Sequence, residues 1–228
     1  MVHVRYPFIA QLKTFDMLAT STFIDDTRIE SYKEEYVRTN CIFLPGFLPQ
    51  AALNFLLKKL GNIRFQTKFE MDDHSKFGKL LLVPQNDPLL TIFQLLINNT
   101  GLFSIVEEIT GCEPIGNFMG RIHRSEEGEQ HGIEWHGDNS DNRLLAMTLG
   151  LGTRDYTGGK LQIRETGSDQ IIREFGQLNA GDAIIFKIAP ALQHRLTVLE
   201  TGQRTVGVGW FRSKPDLATF AAAHLKPY

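Results

Sequence analysis

The sequence is poor in cysteine and has almost no excess of charge of either sign. Its 228 residues include two cysteines, Cys41 and Cys112, which are too few and too far apart for the disulfide framework of a small secreted domain. The 24 lysines and arginines nearly balance the 26 acidic residues, giving a formal net charge of −2. This balance argues against a nucleic acid as the partner, because polyanion-binding domains carry a basic footprint.

Long apolar runs are also missing from the sequence. No stretch approaches the ~20 apolar residues that a membrane-spanning helix needs. The first residues, Met1 to Pro7, lack the apolar run and the cleavage site of a secretory signal. We therefore expect a cytoplasmic protein with no membrane partner, while the sequence leaves the oligomeric state open.

The apolar content is sufficient for one full hydrophobic core. Hydrophobic residues make up 42% of the 228 positions, a size and composition typical of a single domain. The pattern changes character near residue 112. We predict one α+β domain over residues 1–228, in which residues 1–112 give mainly helical support, 113–212 form the core with the metal site, and 213–228 form a C-terminal tail.

Three segments of the first half have the apolar periodicity of helices. The predicted helices are Leu48–Leu60, Asp87–Asn99 and Leu102–Thr110. Asp87 is the expected N-cap because Pro88 suits the first helical position. The polar segment Lys68–Lys79 predicts a loop, either a lid or a solvated connection.

From Glu113 onward, short β-type runs alternate with glycine-rich turns. The predicted strands are Ile115–Arg121, Leu144–Leu151, Lys160–Glu165, Ala183–Ile188, Leu196–Leu199 and Arg204–Phe211. Gly158-Gly159 predicts a tight connection into the third of them. Many short strands in this spacing are typical of two packed sheets, so we predict a double-stranded β-helix, the cupin-like jelly roll, with N-terminal supporting helices.

The residues best suited to chemistry are two histidines and one aspartate. His136 and Asp138 are separated by one residue, and in an extended segment such side chains point the same way. His194 must then come from a distant strand. Two histidines and a carboxylate on one face of a metal leave the opposite positions open, as in non-heme Fe(II) oxygenases.

The ordered set of motifs over residues 114–212 resembles the Fe(II)/2-oxoglutarate-dependent oxygenase superfamily, most closely its prolyl 4-hydroxylase-like branch. An isolated His-x-Asp triplet would be weak evidence for the family, because such triplets occur by chance. The order of the motifs and a basic residue ten positions after the second histidine make the resemblance specific. The residues that carry the resemblance are Trp135–Asp138, Leu144–Leu149, Tyr156–Arg164, Gly181–Phe186, His194 and Arg204–Phe211.

The resemblance implies a ligand set and a reaction. His136, Asp138 and His194 would bind Fe(II). Arg204 would bind the far carboxylate of 2-oxoglutarate, a role that suits the two parallel hydrogen bonds of a guanidinium. O2 would be consumed, succinate and CO2 released, and an unactivated C–H bond oxidised, usually by hydroxylation, with ascorbate as a candidate reductant.

The chain departs from the family pattern at one place that bears on the cosubstrate. The branch usually has a tyrosine before the metal motif that helps to bind this carboxylate, and no tyrosine occurs between Gly120 and His136. His123 and Arg121 are the candidate replacements, and Thr148 is a further candidate contact. Nucleic-acid repair members carry a second arginine six positions after the first, where this chain has Trp210, so we expect no nucleic-acid substrate.

Four residues near the metal motif are candidate substrate contacts: Trp135, His131, Asp141 and Arg121. Each also has a plainer interpretation. Trp135 could fill the core, because large aromatic residues in strands usually do. His131 could face solvent, and Asp141 could belong to an ordinary surface ion pair.

The path from His194 to Arg204 makes a geometric prediction. If Glu200-Thr201-Gly202 is a three-residue hairpin loop with Gly202 left-handed, Val198 faces Arg204 across the hairpin. Arg204 then shares a face with His194 at an offset of about 13 Å along the strand. An arginine and a five-carbon diacid can span that gap.

These observations predict an oxygenase that oxidises a small molecule or an amino-acid-like substrate. Two alternatives stay open at this point. One is an oxygenase that acts on a protein or peptide side chain. The other is a non-catalytic jelly-roll protein that binds a small ligand or a metal. Succinate release in the presence of substrate is expected of an oxygenase and not of the non-catalytic protein.

Overall fold

The computed structural model of the protein describes residue 24 and residues 26–73, 76–139 and 142–213. Asp141 and all but the first residue of the expected C-terminal tail lie outside the described residues. The helices begin with a short 3-10 turn at Asp26–Arg28, followed by α1 Ile29–Thr39, α2 Gln50–Leu60, α3 Pro88–Ile97 and α4 Thr100–Thr110.

Twelve strands account for most of the rest of the described chain. The first six are β1 Cys41–Leu44, β2 Gln66–Asp73, β3 Lys76–Leu82, β4 Asn117–Glu126, β5 Gly132–His136 and β6 Arg143–Gly150. The other six are β7 Tyr156–Gly158, β8 Leu161–Glu165, β9 Ile171–Phe175, β10 Ala183–Lys187, β11 Leu192–Leu196 and β12 Leu199–Arg212.

The strands form two facing layers connected at one side by β3. One layer has the order β1-β10-β6-β12-β4, and the other has the order β5-β11-β8-β9. Strand β3 pairs with both β4 and β5, which makes the sheet continuous and nearly closed. Every pairing is antiparallel. The predicted jelly roll is therefore confirmed, with the helices as an added support.

Side chains alternate along the β4–β12 layer, which gives it two different faces. Phe118 and Ile122 of β4 pack with the helices in the larger apolar core. Arg121 and His123, on the opposite face of the same strand, line the space between the two layers. A smaller core that includes Leu161 and Phe186 fills the remainder of that space. The helices thus support the sheet from outside, and the interior between the layers holds the polar groups.

The three predicted helices are present, and Asp87 is the N-cap of α3 as expected. Its carboxylate accepts a hydrogen bond from the backbone N–H of Leu89 at 2.8 Å. Asn99, the predicted last residue of that helix, is instead the N-cap of α4, and its side chain accepts from Leu102 at 3.1 Å. Gly111 ends α4 in the left-handed conformation, with φ of 62°. Helix α1 is not predicted from the sequence.

Within the described part of the chain, no single helix is long and apolar enough to cross a membrane. Helices α3 and α4 together have the length and apolar composition of a membrane span, but the pair is bent by 54°. Leu90, Phe93 and Ile97 of α3 and Phe103 and Val106 of α4 are buried in the protein's own core.

The first half of the chain contributes more than helical support. Strand β1 extends the first layer by pairing with β10. The expected loop Lys68–Lys79 is instead most of the hairpin of β2 and β3. The sequence does not predict this hairpin because β2 lies at the edge of the sheet, where the side chains of residues 66–69 face solvent.

The predicted strand Leu196–Leu199 and the hairpin built on it are wrong. Strand β11 ends at Leu196 in one layer, and β12 begins at Leu199 in the other, so the two strands are not partners. Leu199 pairs with Gly158 of β7. Gly202 is left-handed, as expected, with φ of 80°. It lies within β12, where a Cβ would approach the Asp155 carbonyl oxygen to 2.1 Å.

A buried polar chain connects the β2–β3 hairpin to β4. The Lys68 ammonium lies 2.9 Å from one carboxylate oxygen of Glu70, and the other oxygen is 3.4 Å from Nε2 of His131. Nδ1 of His131 is hydrogen-bonded to the Ser125 hydroxyl at 3.2 Å. The hydrogen bond from His131, together with Lys68, lowers the pKa of Glu70 to about 2 despite burial.

Replacing Glu70 with Gln should destabilise the protein in a pH-dependent way. The pKa of Glu70 in the folded state lies below its ordinary value of 4.5, so its stabilising effect is complete above pH 4.5 and is lost as the pH falls toward 2. At neutral pH we expect the free energy of unfolding to fall by about 1–3 kcal/mol, measured by urea denaturation.

A matched control is Glu129→Gln, which removes the partner of Lys79 in the same hairpin at a more exposed position. It should change stability by less than about 1 kcal/mol. A Glu70→Gln protein that is as stable as the wild type at pH 7, or that keeps the same deficit at pH 2, would contradict this account.

Candidate metal centre and cosubstrate pocket

The pairing of β5 with β11 brings together two of the predicted metal ligands. His136 is the last residue of β5, and His194 is the middle residue of β11. The two residues are direct partners in the antiparallel register, and their ring centroids are 4.2 Å apart. Asp138 follows two residues after the end of β5.

The three side chains form a cluster that can hold one ion. Asp138 offers one carboxylate oxygen 3.8 Å from Nε2 of His136 and the other 3.5 Å from Nε2 of His194. One candidate ligand atom from each residue lies within 4.8 Å of the others. A single ion placed between them can therefore contact all three, with its remaining positions facing the interior of the jelly roll.

Both imidazoles can present a ring nitrogen to a metal. Nδ1 of His136 donates a hydrogen bond to the Glu134 carbonyl at 2.8 Å, which leaves Nε2 with the lone pair for a metal. Burial lowers the pKa of His194 to about 4, with His136 and Lys76 acting in the same direction and Asp138 opposing them. His194 is thus uncharged at neutral pH, as metal binding requires.

Trp210 and Arg143 fix the orientation of Asp138. The indole N–H of Trp210 donates to one Asp138 oxygen at 2.7 Å, and the Arg143 guanidinium lies 3.5 Å from the other. The same guanidinium stacks over the Trp210 ring at 3.8 Å. The sequence analysis did not assign these roles. Trp210 follows Arg204 by an even number of strand residues, a spacing that does place both side chains on one face.

Arg204 lines the same pocket as the three candidate metal ligands. It is 4% exposed, and its Nε and Nη1 have no hydrogen-bond partner among the described residues. Burial lowers the pKa of Arg204, an effect that the Tyr156 hydroxyl opposes. Leaving a buried guanidinium without an anion is costly, so this geometry favours a ligand carboxylate.

The Gly158-Gly159 pair makes room for Arg204. Gly159 has a φ of 54°, and a Cβ on it would approach the Arg204 Cδ to 3.0 Å. A larger residue at this turn would therefore press on the arginine stem. The glycine pair that predicted a tight connection also shapes the wall of the pocket.

His123 and Thr148 line the pocket with Arg204. His123 is 3% exposed, and neither of its ring nitrogens has a partner within the described ranges. Burial, and then the positive charges of Arg204 and Arg121, hold the pKa of His123 well below its usual range. Its neutral ring offers one N–H donor to a ligand oxygen.

Of the four candidate substrate contacts, Arg121 alone is found in the pocket among the described residues. Arg121 lines the pocket. The Trp135 ring does not, because it is stacked between the guanidinium groups of Arg164 and Arg195 at 4.1 and 4.7 Å. His131 faces neither solvent nor the pocket, since it is buried in the polar chain with Glu70. Asp141 lies outside the described residues.

Lys76 and Phe186 are among the pocket residues to which the sequence assigns no role. Lys76, at the start of β3, lines the pocket, and the Phe186 ring packs against His194 with centroids 4.9 Å apart. Phe186 belongs to a strand that the sequence does predict. Lys76 belongs to the hairpin that was interpreted as a loop, so no sequence signal placed it near the metal ligands.

No family model matches the sequence, and no curated protein matches it. The structure resembles an oxidoreductase of the 2OG-Fe(II) oxygenase family from Burkholderia pseudomallei, with 13% identity, 84% of this chain and 94% of that chain covered, and a TM-score of 0.62. A second similar structure is a Trichoplax adhaerens prolyl hydroxylase in complex with a hypoxia inducible factor peptide, with 10% identity, coverage of 92% and 94%, and a TM-score of 0.58.

A third similar structure is the epimerase SnoN in complex with Fe3+, alpha ketoglutarate and nogalamycin RO. It shares 12% identity, with 86% of this chain and 90% of that chain covered and a TM-score of 0.58. At these identities the likeness establishes the fold. This chain has the jelly-roll fold found in 2OG-Fe(II) oxygenases, including prolyl hydroxylases.

The residues of this chain fit the two groups that such a fold implies. Two imidazoles and a carboxylate suit Fe(II), because such a set can leave positions open on one side. The two unpartnered nitrogens of Arg204 and the unpartnered imidazole of His123 suit a carboxylate held away from the metal. The donor set and the orphaned buried atoms therefore agree with Fe(II) and 2-oxoglutarate.

Replacing Trp210 with Phe should weaken metal binding without removing a ligand. The indole N–H orients Asp138, and the loss of such an outer partner costs about 10–100-fold in metal affinity. Anaerobic Fe(II) titration of the purified variant measures the effect. Trp135→Phe is the matched control, because it changes the chain's other tryptophan on the outer side of the sheet, and it should bind iron like the wild type.

Asp138→Asn, which alters a metal ligand itself, is measured in the same titration. It should lose more Fe(II) affinity than Trp210→Phe. Equal iron affinity in the two tryptophan variants would mean that the indole does not orient the ligand. Full affinity in Asp138→Asn would exclude the carboxylate from the metal site.

Arg204→Gln should weaken 2-oxoglutarate binding to the iron-loaded protein by about 10–150-fold, the equivalent of 1.5–3 kcal/mol for a charge-assisted pair. The same variant should be at least as stable as the wild type without ligands, because it removes a buried charge that has no partner. Calorimetric titration and thermal unfolding measure the two effects.

Arg164→Gln provides the control, since its side chain lies on the outer side of the sheet over Trp135. Unchanged 2-oxoglutarate affinity in Arg204→Gln would mean that another residue holds the carboxylate. A large loss of stability in the ligand-free variant would assign Arg204 to the fold instead.

Proposed function

We propose that this protein is an Fe(II)- and 2-oxoglutarate-dependent oxygenase that hydroxylates an unactivated C–H bond of a small, amino-acid-like molecule. One observation carries the proposal. A cluster of two histidines and an aspartate lines the same pocket as a buried arginine, two of whose guanidinium nitrogens have no partner among the described residues. This arrangement suits a keto acid that binds a metal with one end and an arginine with the other.

Each residue of the pocket has a distinct part in this function. His136, His194 and Asp138 would hold iron on one side, and the Trp210 N–H would keep Asp138 turned toward it. Arg204 and His123 would fix the far carboxylate. When bound, Fe(II), 2-oxoglutarate and O2 together supply the oxidising power for the C–H bond, with succinate and CO2 as the other products.

The walls of the pocket support chemistry that water would disturb. Leu161, Ala146 and Phe186 are buried apolar side chains that line it beside the metal ligands. They limit the access of water to the open side of the cluster and strengthen the electrostatic interactions there. They also leave an apolar surface for the carbon skeleton of a substrate.

A peptide side chain is the second candidate substrate. Strand β2 pairs only with β3 among the described strands, so its outer edge offers free backbone groups next to the strand that carries Lys76. Phe69 on β2 is 66% exposed. An extended peptide can add to such an edge. A small molecule is the first candidate because the charged groups lie inside the pocket and not on its rim.

The test is an anaerobic titration of the Fe(II)-loaded protein with 2-oxoglutarate, followed in the visible region. We expect a metal-to-ligand charge-transfer band that saturates at one 2-oxoglutarate per iron. Glutarate, which has no keto oxygen to chelate the metal, should give no band. The His194→Ala variant should lose the band. Glu134→Gln changes an exposed side chain on β5, the strand that carries His136, and should keep the band.

Succinate release upon addition of substrate then separates an oxygenase from a protein that only binds ligands. If the wild type binds iron and gives no band with 2-oxoglutarate, the oxygenase proposal fails. A non-catalytic metal-binding jelly roll then becomes the better description.

A further inference from the structure

The pocket has more positive charge than the proposed metal and cosubstrate would neutralise. A divalent iron, Asp138, the two carboxylates of 2-oxoglutarate and Arg204 carry charges that cancel. Lys76, Arg121 and Arg195 also line the pocket, and Asp138 is its only acidic residue among those described. Three cations therefore exceed the anions among the described residues of the pocket.

Arg195, which lines the pocket, and Arg143 beside it already have partners. The Arg195 guanidinium stacks over Trp135 and donates to the Gln162 side chain on the outer side of the sheet. The Arg143 guanidinium lies against Asp138 and Trp210. We therefore assign the excess charge of the pocket to Lys76 and Arg121.

Arg121 has the clearest need for a ligand. Its Nε is buried and has no hydrogen-bond partner in the part of the chain that the structure describes. Glu70 feels its charge, but one Glu70 oxygen pairs with Lys68 and the other with His131. Both oxygens of Glu70 are thus already engaged by other residues.

The register separates Arg121 from the carboxylate end of the cosubstrate. Arg121 is opposite Val208 on β12, whereas Arg204 is opposite Ser125. The difference of four residues corresponds to about 13 Å along the strand. Trp210, which contacts the metal ligand, is only two residues from Val208, or about 7 Å. The backbone of Arg121 therefore lies nearer to Trp210 and the metal ligands than to Arg204.

We propose that Arg121, assisted by Lys76, forms an anion subsite that binds the carboxylate of the substrate next to the metal. The inference rests on the proposed function and narrows its substrate to a carboxylic acid small enough to enter the pocket. A guanidinium binds a carboxylate through two parallel hydrogen bonds, which fixes the orientation of the neighbouring C–H bonds. Lys76 adds a second charge from β3.

The experiment uses small probes, since the substrate itself is unidentified. The protein is loaded with paramagnetic Mn(II) and saturated with 2-oxoglutarate, which occupies Arg204. Binding of N-acetylglycine is followed by the relaxation of its methyl protons, and N-acetylglycinamide serves as the neutral equivalent. Methyl phosphate is the third probe and tests for a phosphate site.

We expect saturable relaxation enhancement for N-acetylglycine and at least fivefold weaker binding of the neutral amide. Arg121→Gln should weaken N-acetylglycine binding by tenfold or more, as the loss of a charge-assisted hydrogen bond predicts. Lys76→Gln should weaken it by a smaller factor. Arg124→Gln is the matched control, because it is on the same strand but faces Phe65 and Thr205 on the other side.

Three results would overturn the proposal. The first is equal binding of the anion and the amide by the wild type, and the second is unchanged binding in Arg121→Gln. The third is tighter binding of methyl phosphate than of N-acetylglycine with the same dependence on Arg121, which would replace the carboxylate by a phosphate.

The charge-transfer titration separates this proposal from the one on which it rests. Arg121→Gln should give the same band, with the same 2-oxoglutarate affinity, as the wild type. A tenfold loss of that affinity would assign Arg121 to the cosubstrate and overturn the subsite. If the wild type gives no band but binds N-acetylglycine through Arg121 in the Mn(II) form, the oxygenase proposal fails and the anion site stands.

Discussion

The pairing of β5 with β11 is the contact on which the candidate site depends. It sets His136 directly opposite His194, so two ligands that are 58 positions apart in the sequence become neighbours. A shift of one residue would turn one of the imidazoles to the outer side of the sheet, because side chains alternate along a strand. The metal cluster is therefore a consequence of strand register, and the apolar residues that fix the register also fix the site.

The interior between the layers differs from an ordinary core because it holds polar side chains that the described residues do not fully satisfy. Arg204, His123 and Arg121 each have a buried nitrogen without a partner among the described residues. Such groups reduce the stability of the folded protein. The helices on the outer face compensate for this cost with a larger apolar core, which is separated from the site by the thickness of one sheet.

The sequence predicts those features that depend on local periodicity. The helices α2, α3 and α4, the strands with apolar alternation and the close pair His136 and Asp138 all belong to this group. It fails where the outcome depends on distant partners. Strand β2 is largely polar, and the β2–β3 hairpin forms because β4 and β5 offer hydrogen-bonding edges to β3. Trp135 precedes a metal ligand, yet it turns outward because strand alternation sends neighbouring side chains to opposite faces.

Arg204 and His194 line one pocket even though no hairpin joins their strands. The sequence predicts a hairpin that brings Arg204 to the face of His194, but β11 and β12 belong to opposite layers. Arg204 still reaches the pocket, because a residue on the inner face of one layer confronts the inner face of the other. In a jelly roll, two side chains can therefore line one pocket either from paired strands of one layer or from facing layers. The identity of the residues that point inward, and not the turn between them, decides what the pocket can bind.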